Sequence, residues 1–228
     1  MRHITTIIFD LDDTLWDLPQ VIAHAENTIY QWFALHYPTI TQRFDREDLR
    51  RLRNDIGREF PDMGHDLMFL REQTYRRIAL ECGYPESLYK DAFAVFQQAR
   101  NEVELYPDVE PALHTLGRNY RLLALSNGNA DLAAIGLDSH FEGIYSAREL
   151  GRAKPDPRVF LAVCQEAGIT PDEALHVGDD PHNDVAAPRL VGMDTAWVNR
   201  RSKSWPADLA EPRYEVSDLS PLAVMLNA

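Results

Sequence analysis

The segment Thr5–Thr14 reads TTIIFDLDDT and joins a short apolar run to a cluster of carboxylates. A continuous apolar run of this length is typical of a buried strand in a parallel sheet. Side chains alternate along an extended chain, so Asp10 and Asp12 lie on the same side of it. Two carboxylates this close repel each other unless a cation or a shared proton relieves the repulsion. An ordinary turn is the alternative interpretation, but the fully apolar strand before the pair favours a functional site.

Apolar segments alternate with helical ones in the C-terminal half of the chain. The predicted strands are Tyr120–Leu125, Ala174–Val177 and Asp194–Val198, with a short additional segment at Ile144–Tyr145. Helical periodicity separates them at Val109–Leu116, at Pro157–Ala167 and at about residues 185–191. This alternation indicates a parallel, doubly wound sheet with right-handed crossovers, so the predicted fold class is α/β.

A long helical stretch separates the first strand from the rest of its sheet. Between about residues 19 and 100, apolar residues recur at steps of three and four, as in Ile22, Ala25 and Ile29. Proline and glycine residues divide this stretch into about four helices. Because the insertion begins soon after the acidic strand end, we expect it above the carboxyl edge of the sheet, where ligands bind in such folds. An independent domain packed elsewhere is the alternative.

Composition excludes several classes of function. The chain has 228 residues, 45% of them apolar, so it can bury a core and is not a disordered protein. The net charge of −13 argues against broad binding to nucleic acid or to an anionic membrane, because both require a basic surface. We find no signal peptide and no apolar run near the roughly 20 residues that span a bilayer. We therefore expect a cytoplasmic protein that contacts neither membranes nor nucleic acid.

A second acidic segment, Gly178–Asp184, reads GDDPHND and follows the predicted strand Ala174–Val177. A hard divalent cation that prefers oxygen ligands, such as Mg²⁺, suits Asp10, Asp179 and a backbone carbonyl. Asp184 is predicted near the start of a helix, and its alternative role is to stabilise that helix N-terminus. The two acidic segments together predict a magnesium site.

Two further segments carry groups that bind anions. Ser126-Asn127-Gly128 follows the second core strand, where a hydroxyl and loop amides can hold phosphate oxygens, although the same tripeptide is common in turns. Lys154 stands before Pro155 and Pro157 in a stiff segment, and on its own it is most simply an exposed lysine. Each segment alone is a weak signal.

In this order and spacing, the four segments resemble the motifs of the haloacid dehalogenase-like hydrolase superfamily. The matching positions are Asp10–Thr14, Ser126, Lys154, and Gly178-Asp179 with Asp184. The resemblance covers nearly the whole chain. It implies a Rossmann-like core with the first strand at its centre, formed by residues 1–16 and 101–228. It also implies that residues 17–100 are an inserted helical-bundle cap domain of the kind called type one.

The resemblance implies a phosphatase mechanism as well. Asp10 would attack phosphorus and become an aspartyl-phosphate. Asp12 would protonate the leaving oxygen and later deprotonate the hydrolytic water. Mg²⁺ would be bound by Asp10, by the backbone carbonyl of Asp12 and by Asp179. Asp184 would act on the metal through water or from the shell of residues behind the ligands.

Three residues would hold the phosphoryl oxygens according to the same resemblance: Ser126, the Asn127 amide and Lys154. Lys154 would also offset the charge of Asp10. One departure from the family pattern is Asp13, where many relatives carry glycine, and this residue has less backbone freedom than glycine.

The expected partner is a small phosphorylated metabolite, bound by a monomer or a homodimer. The sequence is similar overall to bacterial flavin mononucleotide and 5′-nucleotide phosphatases, so FMN or a nucleotide is the first hypothesis for the substrate. Trp16 and Asp17 are candidates for lining the substrate cleft. Arg53, Arg58 and His65 could contact a second anionic or polar group, although a solvated or packing role is more common for such residues.

Two other activities use the same scaffold. Haloacid dehalogenases attack carbon with the first aspartate and need neither the second aspartate nor magnesium, so the presence of Asp12, Asp179 and Asp184 disfavours them. A phosphomutase would use the same site residues, and the sequence separates it poorly from a phosphatase. A binding protein without activity would usually have lost a motif residue, and none is lost here.

Overall fold

The computed structural model describes residues 4–226, and its central feature is one six-stranded sheet in which all neighbouring strands run parallel. The strand order is β3-β2-β1-β4-β5-β6. The strands are β1 (Thr6–Phe9), β2 (Arg121–Ser126), β3 (Gly143–Ser146), β4 (Ala174–Gly178), β5 (Asp194–Val198) and β6 (Tyr214–Val216). The prediction of an α/β fold with a doubly wound parallel sheet is confirmed.

The helices follow each strand or form a separate group before β2. They are α1 (Leu18–His36), α2 (Pro38–Arg43), α3 (Arg46–Glu59), α4 (Leu67–Glu81), α5 (Leu88–Arg100), α6 (Val109–Leu116), α7 (Leu132–Ile135), α8 (Ala147–Leu150), α9 (Arg158–Ala167), α10 (Ala187–Leu190) and α11 (Leu219–Leu226). A π-helical turn at Pro181–Ala186 leads directly into α10. Within residues 4–226, no helix combines the length and the apolarity that crossing a membrane requires.

The central strand β1 lies where the strand order reverses. From β1 the chain runs outward through β2 to β3, and it then returns to β4 on the other side of β1. In open α/β sheets, ligands bind outside the carboxyl ends of the strands at such a reversal. The residues that follow Phe9 and Gly178 therefore occupy the position at which this fold places ligands.

Burial explains why β1 is fixed so firmly. Its side chains have no exposed surface. Ile8 is in register with Leu123 of β2 and belongs to one apolar cluster with Val159 and Phe160 of α9. Full burial of one such aliphatic or aromatic side chain stabilises a fold by about 1.5–3 kcal/mol. The apolar run therefore anchors the strand, and the carboxylates begin at its end.

The chain separates into two compact units. The sheet unit contains the described residues through Asp17, Glu104–Gly128, and those from Gly136 onward. The helical unit contains Leu18–Val103 and Asn129–Ile135. Its core is formed by buried apolar residues, chiefly Ala25, Ile29 and Phe33 of α1, Ile78 of α4, and Ala92 and Phe96 of α5.

The helical unit has five α-helices before Val103, where the sequence predicts about four. The prediction was wrong because it treats Pro38 only as a break. Proline also fits the first turn of a helix, since the amides there have no acceptor within the helix. Pro38 accordingly begins the short helix α2.

Candidate active site

Asp10 is the first residue after β1, and three contacts fix its position. Its amide donates to the Val177 carbonyl of β4 at 2.8 Å, which continues the sheet by one residue. Its side chain is almost completely buried. Carboxylate oxygen Oδ2 accepts a hydrogen bond from Thr14 Oγ1 at 3.1 Å, and Oδ1 accepts one from Lys154 Nζ at 2.7 Å. Asp10 is therefore held as a fixed carboxylate rather than as a mobile turn residue.

Lys154 is buried between two carboxylates, and this excludes the interpretation of an exposed surface lysine. Its ammonium group donates to Asp10 Oδ1 and to Asp184 Oδ1, each at 2.7 Å. The side chains of Lys154 and Asp184 are each 2% exposed. Charged groups of this kind remain buried only when they are paired. The lysine therefore joins two carboxylates that lie far apart in the sequence.

Asn127 holds the backbone that carries Lys154. Its side-chain nitrogen donates to the Lys154 carbonyl and its side-chain oxygen accepts from the Lys154 amide, both at 2.8 Å. This pair of bonds occupies both polar atoms of the Asn127 side chain. Asn127 thus positions the lysine through its side chain, a role that the sequence does not reveal.

Asp179 completes a cluster of three carboxylates. Asp10, Asp179 and Asp184 each offer one oxygen atom, and these atoms all lie within 4.8 Å of one another. The Asp179 carbonyl accepts from Trp197 Nε1 at 2.8 Å, and the exposed Lys203 ammonium lies 3.6 Å from Asp179 Oδ2. Burial, reinforced by the charge of Asp184, raises the pKa of Asp179 to about 7. The carboxylate is thus close to its titration point at neutral pH.

The charges in this cluster do not balance. Burial raises the pKa of Asp10, the charge of Lys154 opposes this effect, and the charge of Asp184 adds to it. The one buried ammonium contacts two of the three carboxylates, so the region accommodates additional positive charge. Carboxylate oxygens are the ligands that hard divalent cations prefer. The residues present therefore fit a divalent cation at this position.

A glycine allows Asp184 to reach the cluster. A Cβ atom at Gly178 would lie 2.3 Å from Asp184 Cγ, a distance that no real contact permits. Asp184 Oδ2 accepts from the Asp180 amide at 3.1 Å. The glycine of this motif is therefore required by the close approach of a side chain.

The helix that carries Asp184 begins earlier than the sequence predicts. The π-helical turn starts at Pro181, and the side chain of Asp180 accepts from the amides of His182 and Asn183 at 2.9 and 2.8 Å. Asp180 is therefore the residue that caps this helix. Asp184 lies in the first turn of this helix, and its carboxylate accepts from the Asp180 amide as well as from Lys154, so its place at the helix N-terminus and its place in the cluster are compatible.

His176 of β4 is a site residue that the sequence analysis missed. It is fully buried, and its Nε2 lies 3.0 Å from Asp184 Oδ1. Burial lowers the pKa of His176, so the ring is neutral and donates its Nε2 proton to the carboxylate. Its Nδ1 has no hydrogen-bond partner among residues 4–226. A histidine within an otherwise apolar strand is the sequence signal that could have revealed it.

Asp12 is fixed by a hydrogen bond on one carboxylate oxygen, and its other carboxylate oxygen lies close to Gly128. Oδ1 accepts from the Trp16 indole nitrogen at 2.8 Å, and a Cβ atom at Gly128 would lie 2.3 Å from Oδ2. Trp16 is fully buried. Its expected role in lining a cleft is therefore wrong, because the indole supports Asp12 from within the fold.

Asp13 adopts a left-handed backbone conformation with φ of 62°. This region is open to glycine and, at some cost, to aspartate. Arg201 donates to Asp13 Oδ1 at 2.8 Å, and Arg200 donates to the Thr14 carbonyl at 3.0 Å. The loop after β5 therefore stabilises the turn at Asp13, the position at which many relatives carry glycine.

Ser126 lies at the end of β2, the strand next to β1, and is 5% exposed. Its Oγ accepts a hydrogen bond from the Gly128 amide at 2.8 Å. A hydroxyl that accepts from this amide still has its own proton to donate. The predicted contact between Ser126 and a phosphoryl oxygen remains a prediction.

Comparison with known proteins identifies the family. The model of the haloacid dehalogenase-like hydrolases matches residues 4–192. The chain belongs to this family. This match confirms the family that the four motif segments predict. The protein is therefore a hydrolase.

Members of the haloacid dehalogenase-like hydrolases with related sequences carry different activities. The chain is 29% identical over 234 residues to 5-amino-6-(5-phospho-D-ribitylamino)uracil phosphatase YigB of Escherichia coli strain K12, covering 99% of this chain and 98% of that protein. It is 34% identical over 155 residues to a phosphoserine phosphatase of Thermus thermophilus, covering 65% of this chain and 62% of that protein.

A solved structure from the same family is also similar. The crystal structure of 2-haloacid dehalogenase from Pseudomonas syringae pv. tomato DC3000 superimposes with a TM-score of 0.91 at 34% identity. The alignment covers 99% of this chain and all of that one. Two of these relatives are thus named as phosphatases, and the similar structure is named as a 2-haloacid dehalogenase.

Proposed function

We propose that the protein is a Mg²⁺-dependent phosphatase that hydrolyses a small phosphate monoester through an aspartyl-phosphate at Asp10. The observation that carries this proposal is the cluster of Asp10, Asp179 and Asp184 around the ammonium group of Lys154. A divalent cation bound among these carboxylates would, together with Lys154, place positive charge beside the Asp10 nucleophile, which is the arrangement that transfer of a dianionic phosphoryl group requires.

In the first step, a carboxylate oxygen of Asp10 attacks phosphorus, and the bond between phosphorus and the substrate oxygen breaks. Lys154 opposes the effect of burial on the pKa of Asp10 and so favours the ionised nucleophile. Asp12 donates a proton to the leaving oxygen, which departs as an alcohol. The hydrogen bond from Trp16 holds Asp12 for this transfer.

In the second step, Asp12 accepts a proton from a water molecule that attacks the phosphorus of the aspartyl-phosphate. The bond between phosphorus and the Asp10 oxygen breaks, and orthophosphate leaves. The same carboxyl group thus acts as an acid in one half of the reaction and as a base in the other. Asp10 is restored as a carboxylate.

Mg²⁺ would be held by Asp10 and Asp179, by the Asp12 carbonyl, and by Asp184 directly or through water. When bound, the ion would neutralise charge on the phosphoryl oxygens. The excess of carboxylates over ammonium groups in this cluster supports a position for the ion there. Magnesium is preferred over softer metals because every donor is an oxygen atom.

Ser126, the Asn127 amide and Lys154 are proposed to bind the phosphoryl oxygens. Ser126 retains a donor proton, and Asn127 fixes the lysine segment through two hydrogen bonds. Residues 17–100 are proposed to be the type-one cap of the family, which selects the substrate, and residues 1–16 and 101–228 to be its core. FMN or a nucleotide is the first substrate to test within the class of small phosphorylated metabolites.

Haloacid dehalogenase is the second candidate function, because the similar structure from Pseudomonas syringae bears that name. In that reaction the Asp10 carboxylate would displace a halide from carbon, and water would then hydrolyse the resulting ester. Asp12 and the metal cluster would have no part in it. The hydrogen bond that fixes Asp12 to Trp16 and its close approach to Gly128 favour the phosphatase, which gives Asp12 a role.

A two-substrate assay tests the proposal. Purified protein should hydrolyse p-nitrophenyl phosphate with Mg²⁺ and should release no chloride from 2-chloropropionate. EDTA or Asp10→Asn should abolish the phosphatase activity, whereas Asp208→Asn, at an exposed position, should leave it unchanged. Chloride release without phosphatase activity would establish the dehalogenase instead, and phosphatase activity that survives Asp10→Asn would refute the mechanism.

A further inference from the structure

A cavity in the helical unit contains charge that the proposed phosphatase chemistry does not use. It has a volume of about 40 Å³ and lies among α1, α3 and α4. Its apolar lining includes Ile29, Phe33 and Ile78. A cavity that holds a single water molecule has a volume of about 10–15 Å³. This cavity therefore has room for a group of only a few non-hydrogen atoms.

Arginine side chains dominate the polar part of the cavity lining. They are Arg46, Arg50, Arg53 and Arg71, and Glu26 is the acidic residue beside them. Glu26 already accepts from Arg50 at 3.0 Å and from Arg53 at 2.7 Å. In a protein with a net charge of −13, this is a local excess of positive charge.

Arg71 is the arginine whose charge is least compensated. Its guanidinium stacks over the Phe96 ring, with 3.5 Å between Cζ and the ring centroid. In the described part of the chain it forms no ion pair, because Glu26 is engaged by the arginines of α3. Burial lowers the pKa of Arg71, which reflects the cost of keeping its charge away from water. A guanidinium in this position is ready to accept an anion.

Tyr75, the neighbour of Arg71 in this cavity, gives a second indication of a missing ligand. It lines the same cavity and is 4% exposed. The Arg71 guanidinium lies beside its hydroxyl oxygen, but the hydroxyl forms no hydrogen bond of good geometry with the described residues. Buried hydroxyls are nearly always paired, because a buried polar group without a partner loses the hydrogen bonds that water would give it. A ligand acceptor atom in the cavity would provide that partner.

We propose that this cavity binds the carboxylate group of a small organic acid, with Arg71, Arg53 and the Tyr75 hydroxyl as donors. A guanidinium pairs with a carboxylate through two parallel hydrogen bonds. The apolar wall of Ile29, Phe33 and Ile78 suits a short hydrocarbon group attached to that carboxylate. The site lies within the helical unit and is independent of the phosphatase mechanism.

Propionate is the probe, and its binding to the full-length protein is followed by saturation-transfer NMR. Wild-type protein should bind it saturably with a dissociation constant below about 10 mM. Arg71→Met should weaken binding at least about tenfold, since it removes a charge-assisted contact. Tyr75→Phe, which keeps the shape of the ring, should weaken it about threefold or more.

Two control variants test whether propionate binds in this cavity or elsewhere on the protein. Arg51→Met removes an exposed guanidinium that pairs with Asp48 and should leave the affinity unchanged. Asp208→Asn, at an exposed position of the sheet unit, should also leave it unchanged. No saturable binding to the wild type would overturn the proposal. Equal binding by wild type, Arg71→Met and Tyr75→Phe would overturn it as well.

Discussion

In the sheet unit, Lys154 is one buried ammonium among three carboxylates, whereas in the helical unit Arg71 is a guanidinium whose acidic neighbour is bonded to other arginines. The two clusters thus carry excess charge of opposite sign. Folding rarely leaves such excess in a buried position without a function, because unpaired buried charge is expensive. The contrast indicates a cation in the first cluster and an anion in the second.

The two clusters also differ in how tightly they are built. Each carboxylate oxygen of Asp10 and Asp184 accepts a hydrogen bond, and the absence of a side chain at Gly178 leaves room for Asp184. The cavity around Arg71 instead keeps an unpaired hydroxyl on Tyr75. A preorganised cluster suits chemistry at fixed geometry, and a looser one suits reversible binding.

The largest expected effect is a difference in stability between two charge deletions. Lys154→Met should lower the free energy of unfolding by about 3–5 kcal/mol, because it leaves Asp10 and Asp184 buried without their cation. Arg71→Met should change it by no more than about 1 kcal/mol, since no ion pair is broken. Urea unfolding at pH 8 without metal measures both. Equal losses would remove the distinction between the two clusters.

The next effect tests how closely the first cluster is packed. Gly178→Ala should lower kcat/KM for p-nitrophenyl phosphate about 100-fold or more, because the new methyl group displaces the Asp184 carboxylate. Gly57→Ala is the matched control, since a Cβ atom there meets nothing within 4 Å. That control should keep full activity and gain up to about 1 kcal/mol of stability from helix propensity. Full activity in Gly178→Ala would show that Asp184 need not occupy its observed position.

A smaller effect is expected at His176, which acts on the cluster through Asp184. His176→Phe removes the Nε2 donor and should weaken the apparent Mg²⁺ affinity about 10–100-fold, the usual range for a residue behind a metal ligand. His176→Gln can place an amide nitrogen near the same point and should recover part of this loss. The Mg²⁺ dependence of p-nitrophenyl phosphate hydrolysis measures both variants. Equal losses in both would point to packing rather than to the hydrogen bond.

The smallest effect is a dependence of metal stabilisation on pH. Burial raises the pKa of Asp179 from 3.8 to about 7, so its protonated form stabilises the metal-free fold at low pH. That contribution is lost as the pH rises from about 4 to 7, because the folded state binds more protons than the unfolded state in this window. Mg²⁺ should therefore raise Tm more at pH 8 than at pH 5. In Asp179→Asn the difference between the two pH values should shrink, and an unchanged difference would exclude Asp179 as its source.

The sequence predicts the parts of the fold that have strong local signals. The apolar runs that become β1, β2, β4 and β5 are long enough to be recognised. β6 (Tyr214–Val216) was missed because three residues with a central Glu215 give no apolar run. The grouping of Asn129–Ile135 with the helical unit has no sequence signal, since it depends on contacts such as Gln97 with Asn129.

The candidate site shows a similar limit. Asp10 and Lys154 are 144 positions apart, so their contact follows from the family resemblance and not from local pattern. The positioning roles of Asn127 and His176 depend on side-chain geometry, which no spacing rule supplies. The orphaned hydroxyl of Tyr75 is visible only once its surroundings are known.

Covalent capture at Asp10 tests the central claim most directly. Protein quenched in acid during turnover of p-nitrophenyl phosphate with Mg²⁺ should carry one phosphoryl group on the peptide that contains Asp10, as read by mass spectrometry. Asp12→Asn should increase the amount trapped, because it slows attack by water more than it slows formation of the intermediate in the presence of this good leaving group. Sustained turnover with no phosphoryl group on that peptide, in either the wild type or Asp12→Asn, would contradict the account.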